Sequence, residues 1–549
     1  MPELPPDYYL QNFCCVLDLV EDQYRDLLSE AESDFVKKFR DLDCEAKMLL
    51  VRMLCRSRDV FRRQKLQYRE ISDVDLALDR LLNVGLVKKV LPTQVDLLIP
   101  LFSKSEWCQK LSPLPIDTAI LNGLKVKTRP ELDRWLAENV HAIPHGESEL
   151  VVQLAVQDIF TVLKLLFFGN LHQDLSEFVV QDLGLIRYPN YQICAESRMF
   201  NSRRQINSYI DYYRLLDSIS LDVGKEGVAS LVELNDWIER LSEIEAGDSI
   251  LARRLDRTKL TLARQVERAG ELHSALASYE KVIRPPARER RARILAKLDR
   301  QQESLDLCRE ILEKSHSDEE RGFASQFGHR LAKRMGQSWD DIETYRPEEE
   351  RVSLDNCGES VEECAAGYFR ARGLHCAVVE NALFLGVFGL FYWDLLYAAV
   401  PGAFTHPFQL RAHDLYEDDF LVRRASLFCA LEKDLVQRMP LARLIDTFRR
   451  HRGEANAFVD WRALDEDLLS RACTVIPLSH WRAVFTRLWS NLKENRSGFP
   501  DLIVFDREAS YTLVEVKAPN DKLQKNQQRW MEYFSQYNIP HRVLHVNWQ

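Results

Sequence analysis

No apolar run in these 549 residues is long enough to span a bilayer. The longest apolar run, ALFLGVFGLFYW from Ala382 to Trp393, is closed by Asp394, well short of the ~20 residues a spanning helix needs. It reads instead as a buried helix. The first ten residues, MPELPPDYYL, are acidic and hold no apolar signal core. Positive charge is not in surplus: 74 Lys and Arg face 84 Asp and Glu, a net charge of -10. That excludes nucleic-acid binding through overall charge and leaves local basic surfaces as the only route. The 12 Cys form no CxxC pair and no Cys/His zinc spacing. They read as reduced, mostly buried thiols of an intracellular protein. The 13 His show no HExxH or paired spacing. There is no glycine-rich phosphate loop, so no nucleotide cofactor is expected.

What is present is an ordinary globular composition, 46% apolar and 29% charged. The chain is too long for one core, and its length suggests roughly three to five domains. Residues 8 to 90 repeat apolar positions at helical spacing, with a short hairpin. In SDVDLALDRLLNVGLV, Ser72 is the expected cap and Gly85 the expected stop. Residues 92 to 146 are punctuated by Pro113, Pro115, Pro130 and Pro144 and form a short helical module. From about 147 to 350 the pattern is helical. ALASYEKVI (275–283) and SLDLCREIL (304–312) echo one another 29 residues apart, which suggests a helix-pair solenoid of the tetratricopeptide kind. The polar stretch ETYRPEEERVSLDNCGESVEE reads as a linker. After further helices the last 50 residues read β-β-α-β: DLIVFD and YTLVEVK as a hairpin, KLQKNQQRWMEYFSQY as an amphipathic helix, HRVLHV as a strand.

The hairpin carries the chemistry. Asp501 opens one strand. Glu515 and Lys517 lie two apart on the next, so both side chains share a face while Val516 turns the other way. Two carboxylates among apolar strands are costly alone, and a cation offsets that cost. Oxygen ligands of this kind suit Mg²⁺ or Mn²⁺. Such an ion polarises a phosphate and acidifies a bound water, while Lys517 would orient that water or stabilise developing charge. An exposed Glu-Lys pair on a strand would also read E-x-K. It would not need Pro500-Asp501 at this distance.

The pattern resembles the PD-(D/E)xK nucleases. GFPDLIVFD followed by YTLVEVKAPNDKLQKNQQRW is similar to the VRR-NUC domain, and most similar within it to the Fanconi-anaemia-associated nucleases, structure-specific DNA nucleases of interstrand-crosslink repair. VVENALFLGVFGLFYWDLLYAAVPGAF, DLGLIRYPNYQI, YYLQNF and KFRDL…KMLLVRMLCR…KLQYREI resemble other parts of that family. The resemblance implies that Glu380, Asp501, Glu515 and the Val516 carbonyl hold the metal. With these acids, Lys517 and Gln527 would complete the catalytic set. Glu380 could equally be an acid favoured at a helix start. The implied fold is multidomain and mainly α-helical with a C-terminal α/β nuclease. Its parts would be an N-terminal DNA-binding domain (1–91), a SAP-like module (92–146), a tetratricopeptide-like domain (147–360) and the VRR-NUC domain (361–549).

The implied activity is 5′ flap endonuclease with 5′-to-3′ exonuclease action on branched DNA, with Mg²⁺ or Mn²⁺ as cofactor. A junction resolvase or other nuclease on the same core, or a non-catalytic DNA-binding scaffold, are the alternatives. No membrane association is expected, nor ubiquitin binding, since no Cys/His finger precedes the conserved portion. A bacterial member would sit with the nucleoid in the cytoplasm, a eukaryotic one in the nucleus. Basic runs supply the candidate phosphate contacts: Arg62, Arg63 and Lys65; Arg203 and Arg204; Arg288 and Arg291; Arg423 and Arg424. Each run could instead be a solvated helix face.

Overall fold

The computed structural model describes residues 5–113, 116–141, 150–178, 186–226, 229–339, 345–355, 358–435, 439–506 and 510–548. It divides into two units, one of Met1–Leu185 with Phe200–Ile206, the other of Ile186–Met199 with Asn207–Gln549.

The first unit begins with helices Tyr8–Tyr24, Glu30–Asp41, Cys44–Leu54 and Val74–Asn83. Their starts are written in the sequence: Ser29 and Glu32 form a reciprocal capping box, and Asp43 accepts the amides of Glu45 and Ala46. At Val74–Asn83 the cap is Asp73, not Ser72, whose hydroxyl bonds Glu45 instead. Gly85, at φ +76°, follows the helix as expected. The expected hairpin is in fact a three-stranded antiparallel sheet. Strands β1 (Val60–Arg62) and β2 (Val87–Lys89) flank β3 (Val151–Leu154). Thus residues just beyond 147 complete the N-terminal sheet. Between β2 and β3, helices Lys104–Leu111, Thr118–Val126 and Arg129–Asn139 pack around fully buried Trp107. DLGLIRYPNYQI lies partly outside the described residues.

In the second unit, helices Leu231–Glu243, Ser249–Arg268, Leu272–Glu280, Ala287–Lys297, Gln301–Glu313 and Asp318–Met335 each pack on the next. This is the nearest-neighbour stacking of a helical solenoid. The two echoing segments begin inside the third and fifth of these helices.

A five-stranded mixed sheet follows. Its order is β4 (Glu349–Leu354), β8 (His541–Trp548), β7 (Tyr511–Lys517), β6 (Leu502–Phe505), β5 (His375–Val378). β4 lies in the stretch read as a linker: EERVSL has only one buried residue, Val352, because it forms an edge, and parallel pairing to β8 holds it there. β6 and β7 are the expected hairpin, with Leu502 opposite Val514. On one face Ala365, Ala366 and Phe369 of helix Val361–Arg370 cover Leu502, Val504, Val514 and Val516. On the other, Trp530 and Phe534 of helix Lys525–Gln536 and the apolar helix Ala382–Phe391 cover Ile503, Phe505 and Leu513. The apolar run is therefore core, and no described helix is long and apolar enough to cross a membrane.

Among the described residues Cys364 is disulfide-bonded, which corrects the expectation of reduced thiols throughout. Cys15, Cys44, Cys55 and Cys429 are exposed, so the thiols are less uniformly buried than the composition suggests.

Candidate active site

Three chain segments meet where the sheet ends. β5 leads to Glu380, β6 starts after Asp501, and β7 finishes on Glu515, Val516 and Lys517. The Asp501 carboxylate accepts the Val516 amide at 2.8 Å. The Asp501 carbonyl accepts the amides of Val379 at 2.8 Å and Glu380 at 2.9 Å. Glu380 itself is exposed and takes φ +37°, a left-handed conformation that costs a non-glycine residue about 1–3 kcal/mol and persists where surrounding structure dictates it. It stands two residues before the helix Ala382–Phe391, not in its first turn.

Glu515 is 1% exposed. Its Oε1 accepts from Lys517 Nζ at 2.7 Å and from Gln527 Nε2. The Gln527 Oε1 accepts from Lys517 Nζ at 3.3 Å and from the Gln524 amide at 2.8 Å, capping the helix that carries it. One glutamine therefore fixes acid, lysine and helix together. Glu515 Oε2 is buried without a hydrogen-bond partner.

Burial lifts Asp501 to about 6, with the charges of Glu362 and Glu380 adding to the rise and the Val516 amide and Lys517 opposing it. Burial, then the charge of Asp501, lifts Glu515 to about 7 against the pull of Lys517. Glu362 pushes both acids upward, so it belongs to this environment. Nothing in the sequence marks it out, because an acid in the first turn of a helix capped by Ser360 is ordinary on helix-dipole grounds.

Among the described residues no group of three or more His, Cys, Asp or Glu side chains is placed to hold a metal ion. The fit is with an open site: two raised carboxylates, hard oxygen donors, and an orphaned buried oxygen of Glu515 that a divalent cation would satisfy. The structure thus brings together Asp501, Glu515, Val516, Lys517 and Gln527, with Glu380 tied to Asp501 through the backbone.

The basic residues fare differently. Arg424 has no exposed side-chain area and grips Asp414 with both terminal nitrogens at 2.8 and 3.0 Å, its guanidinium over Phe420. Arg423 bonds the same carboxylate at 2.7 Å. Arg288 is buried on Glu320, with contacts of 2.7 and 2.9 Å. Arg62 is buried against Glu106 at 2.6 Å. Arg62, Arg288 and Arg424 are thereby corrected from phosphate contacts to internal struts: a guanidinium desolvated on a carboxylate presents no face to a phosphate. Arg63 pairs with Asp75 and Arg203 with Glu32 at 2.6 Å, both partly exposed. Arg291 lies 3.8 Å from Glu280. Lys65 and Arg204 are exposed.

A mixed sheet with this hairpin, two acids, a lysine and a capping glutamine defines a divalent-metal-dependent nuclease domain. Residues 437–548 match the family model for the VRR-NUC domain, and residues 7–88 match that for the FAN1 HTH domain. The chain belongs to the Fanconi-associated nuclease 1 family and is a DNA nuclease. It is 33% identical over 566 residues to the Fanconi-associated nuclease 1 homolog of Pseudomonas aeruginosa, covering 100% of this chain and 97% of that one. It is 24% identical to the Arabidopsis thaliana homolog, over 95% of this chain and 65% of the plant protein. The crystal structure of paFAN1 bound to 2nt 5′ flap DNA with gap superposes with a TM-score of 0.83 at 31% identity, covering 100% of both chains. A second, of paFAN1 bound to 1nt 5′ flap DNA with gap, gives 0.80 at the same identity, over 99% of this chain and 100% of that one.

Proposed function

We propose that this nuclease incises 5′ flaps and related branched DNA, degrades strands 5′ to 3′, and serves interstrand-crosslink repair, with Mg²⁺ or Mn²⁺ as its ion. The observation that carries the chemistry is the unpartnered Glu515 Oε2 beside the raised Asp501 carboxyl. The neighbour bound to 5′ flap DNA supports the substrate class.

Asp501, Glu515, Glu380 and the Val516 carbonyl would hold the ion. When bound, it supplies Lewis acidity at the scissile phosphate and a water acidic enough to attack phosphorus. The remaining work belongs to the chain. Asp501 and Glu515 must first lose their protons, and metal charge favours that loss. Lys517, held on Glu515 Oε1 at 2.7 Å, keeps an ammonium where negative charge grows on the phosphate. Gln527 prevents Lys517 from swinging away. The reaction breaks the P–O3′ bond and leaves a 5′-phosphate and a 3′-hydroxyl. Exposed Lys522 and Lys525, between the β7 end and Gln527, are further candidates for binding phosphates.

The test is cleavage of end-labelled 5′ flap, 3′ flap, four-way junction and plain duplex with Mg²⁺, Mn²⁺ or EDTA, alongside Asp501→Ala. Metal-dependent 5′ flap incision lost in the variant is the expected result. Symmetric cutting of four-way junctions would move the protein to the resolvase class, and firm binding without cutting would leave a scaffold.

A further inference from the structure

We propose that Asn381 is a positioning residue that holds Glu380 in register with Asp501 and so completes the ion-binding set. The inference rests on the reading of Glu380 as a metal ligand. Asn381 immediately precedes the helix Ala382–Phe391, where an asparagine ordinarily turns its side chain onto the helix amides. Here it makes no such cap. Its Oδ1 instead accepts the amides of Gly498 at 3.0 Å and Phe499 at 3.2 Å, 117 and 118 residues away in sequence.

These bonds run opposite to those donated by Val379 and Glu380 to the Asp501 carbonyl. The segment 379–381 and the segment 498–501 therefore clasp each other at both ends, with one acid on each. Glu380 sits inside the clasp at φ +37°, a conformation that needs outside support. The 498–501 side is held in turn by the helix that bears Gln527. Gly498, at φ +97°, lies so close that a Cβ there would stand 2.9 Å from the Asn526 carbonyl carbon, and Asn526 Nδ2 donates to Ser497 Oγ at 3.3 Å. Phe499 packs against Phe384 and Trp530, with ring centres 5.2 and 4.1 Å away. This packing locates the loop without orienting its amides. Asn381 is the group that orients them. Without its oxygen, two loop amides lose their acceptor, and the turn at Glu380 is free to relax away from Asp501.

The test uses the full chain and Mn²⁺ alone, with uptake followed by electron paramagnetic resonance of the free ion. The variants are Asn381→Ala, Asn381→Leu, Glu380→Ala and Glu380→Ala/Asn381→Ala. Flap cleavage, DNA binding in EDTA and the thermal midpoint are measured alongside. Asn381→Ala is expected to weaken Mn²⁺ binding about 10- to 100-fold, the range seen when a ligand's supporting partner is removed, with DNA binding unchanged. The double variant is expected to lose no more than Glu380→Ala, because Asn381 acts through Glu380. Should Asn381→Ala fail to fold, Asn381→Leu, with the same branching at Cγ and without an acceptor, carries the same expectation. Wild-type Mn²⁺ affinity in the Asn381 variants overturns the proposal. So does a double variant whose losses add, or a Glu380→Ala protein that binds Mn²⁺ normally. If wild type binds Mn²⁺ but cuts no DNA, the nuclease substrate reading falls while the Mn²⁺ cycle still decides the role of Asn381.

Discussion

Asp501 and Val516 are joined by a 2.8 Å bond from the Val516 amide to the Asp501 carboxylate. One side chain thus fixes both its own aim and the peptide whose carbonyl is a candidate ligand. Asp501→Ala removes an anion and that lock together. Flap cleavage is expected to fall by at least about 10³-fold, beyond the 10²–10³ typical of losing one stabilising donor, with Kd for flap DNA in EDTA within about threefold of wild type. End-labelled cleavage and fluorescence anisotropy check both halves.

Glu515 carries a second consequence, for folding. Glu515→Ala leaves Lys517, 7% exposed, without its carboxylate partner, and breaking one side of a buried pair costs about 3–5 kcal/mol. Glu515→Gln keeps the shape and is expected to lose activity with a smaller drop in stability. Urea unfolding of the two variants separates the roles.

The raised acids set a pH signature. Glu515 is held near 7 and Asp501 near 6, above their ordinary values near 4. The folded protein therefore binds more protons than the unfolded chain between about pH 4 and 7, so these groups' contribution to stability is full at low pH and declines as pH rises through that window. In EDTA, the unfolding midpoint of wild type relative to Glu515→Gln is expected to fall from pH 5 to pH 8. Mn²⁺ affinity runs the other way and rises over the same range as the carboxyls lose their protons. Calorimetry at matched ionic strength tests both slopes. A difference that grows with pH in EDTA would contradict the assignment of the raised group.

The Arg struts predict a split between stability and DNA binding. Arg288→Gln leaves Glu320 buried without its cation and is expected to destabilise by about 3–5 kcal/mol, and Arg424→Gln by less, because Arg423 still pairs with Asp414 at 2.7 Å. The slope of log Kd against log salt for flap DNA is expected to stay as in wild type for both. Substituting Lys522 or Lys525 is expected to lower that slope by about 1 for each phosphate that is no longer neutralised.

Gln527 should behave as a tether. Gln527→Ala removes one of the two acceptors of Lys517 Nζ and the cap of helix Lys525–Gln536 in one step. A 10- to 100-fold loss of cleavage is expected, with a cost of about 1 kcal/mol from the cap. Single-turnover kinetics and urea unfolding read the two parts.

The local chemistry is legible in residue type and spacing. The two-residue period of a strand is enough to place Glu515 and Lys517 on one face, the run from Ala382 could only be core, and the hairpin and its following helix appear where alternation and amphipathicity put them. Resemblance located Glu380, which no periodicity could connect to a residue 121 positions later (501 − 380). Tertiary structure decided the rest. β4 and β3 are short strands whose partners lie almost 200 and some 60 to 90 residues away, so their hydrogen bonds leave no local pattern to read. The buried arginines look like surface in sequence because Asp414, Glu320 and Glu106 reach them only after folding, and a paired carboxylate is what makes burying a guanidinium tolerable. Asn381 looks like a helix cap, and only the arrival of Gly498 and Phe499 turns its oxygen toward the site. Residue type and spacing specify which chemistry is available. Distance in space, set by packing, decides which charges are spent on holding the fold and which stay free for the substrate.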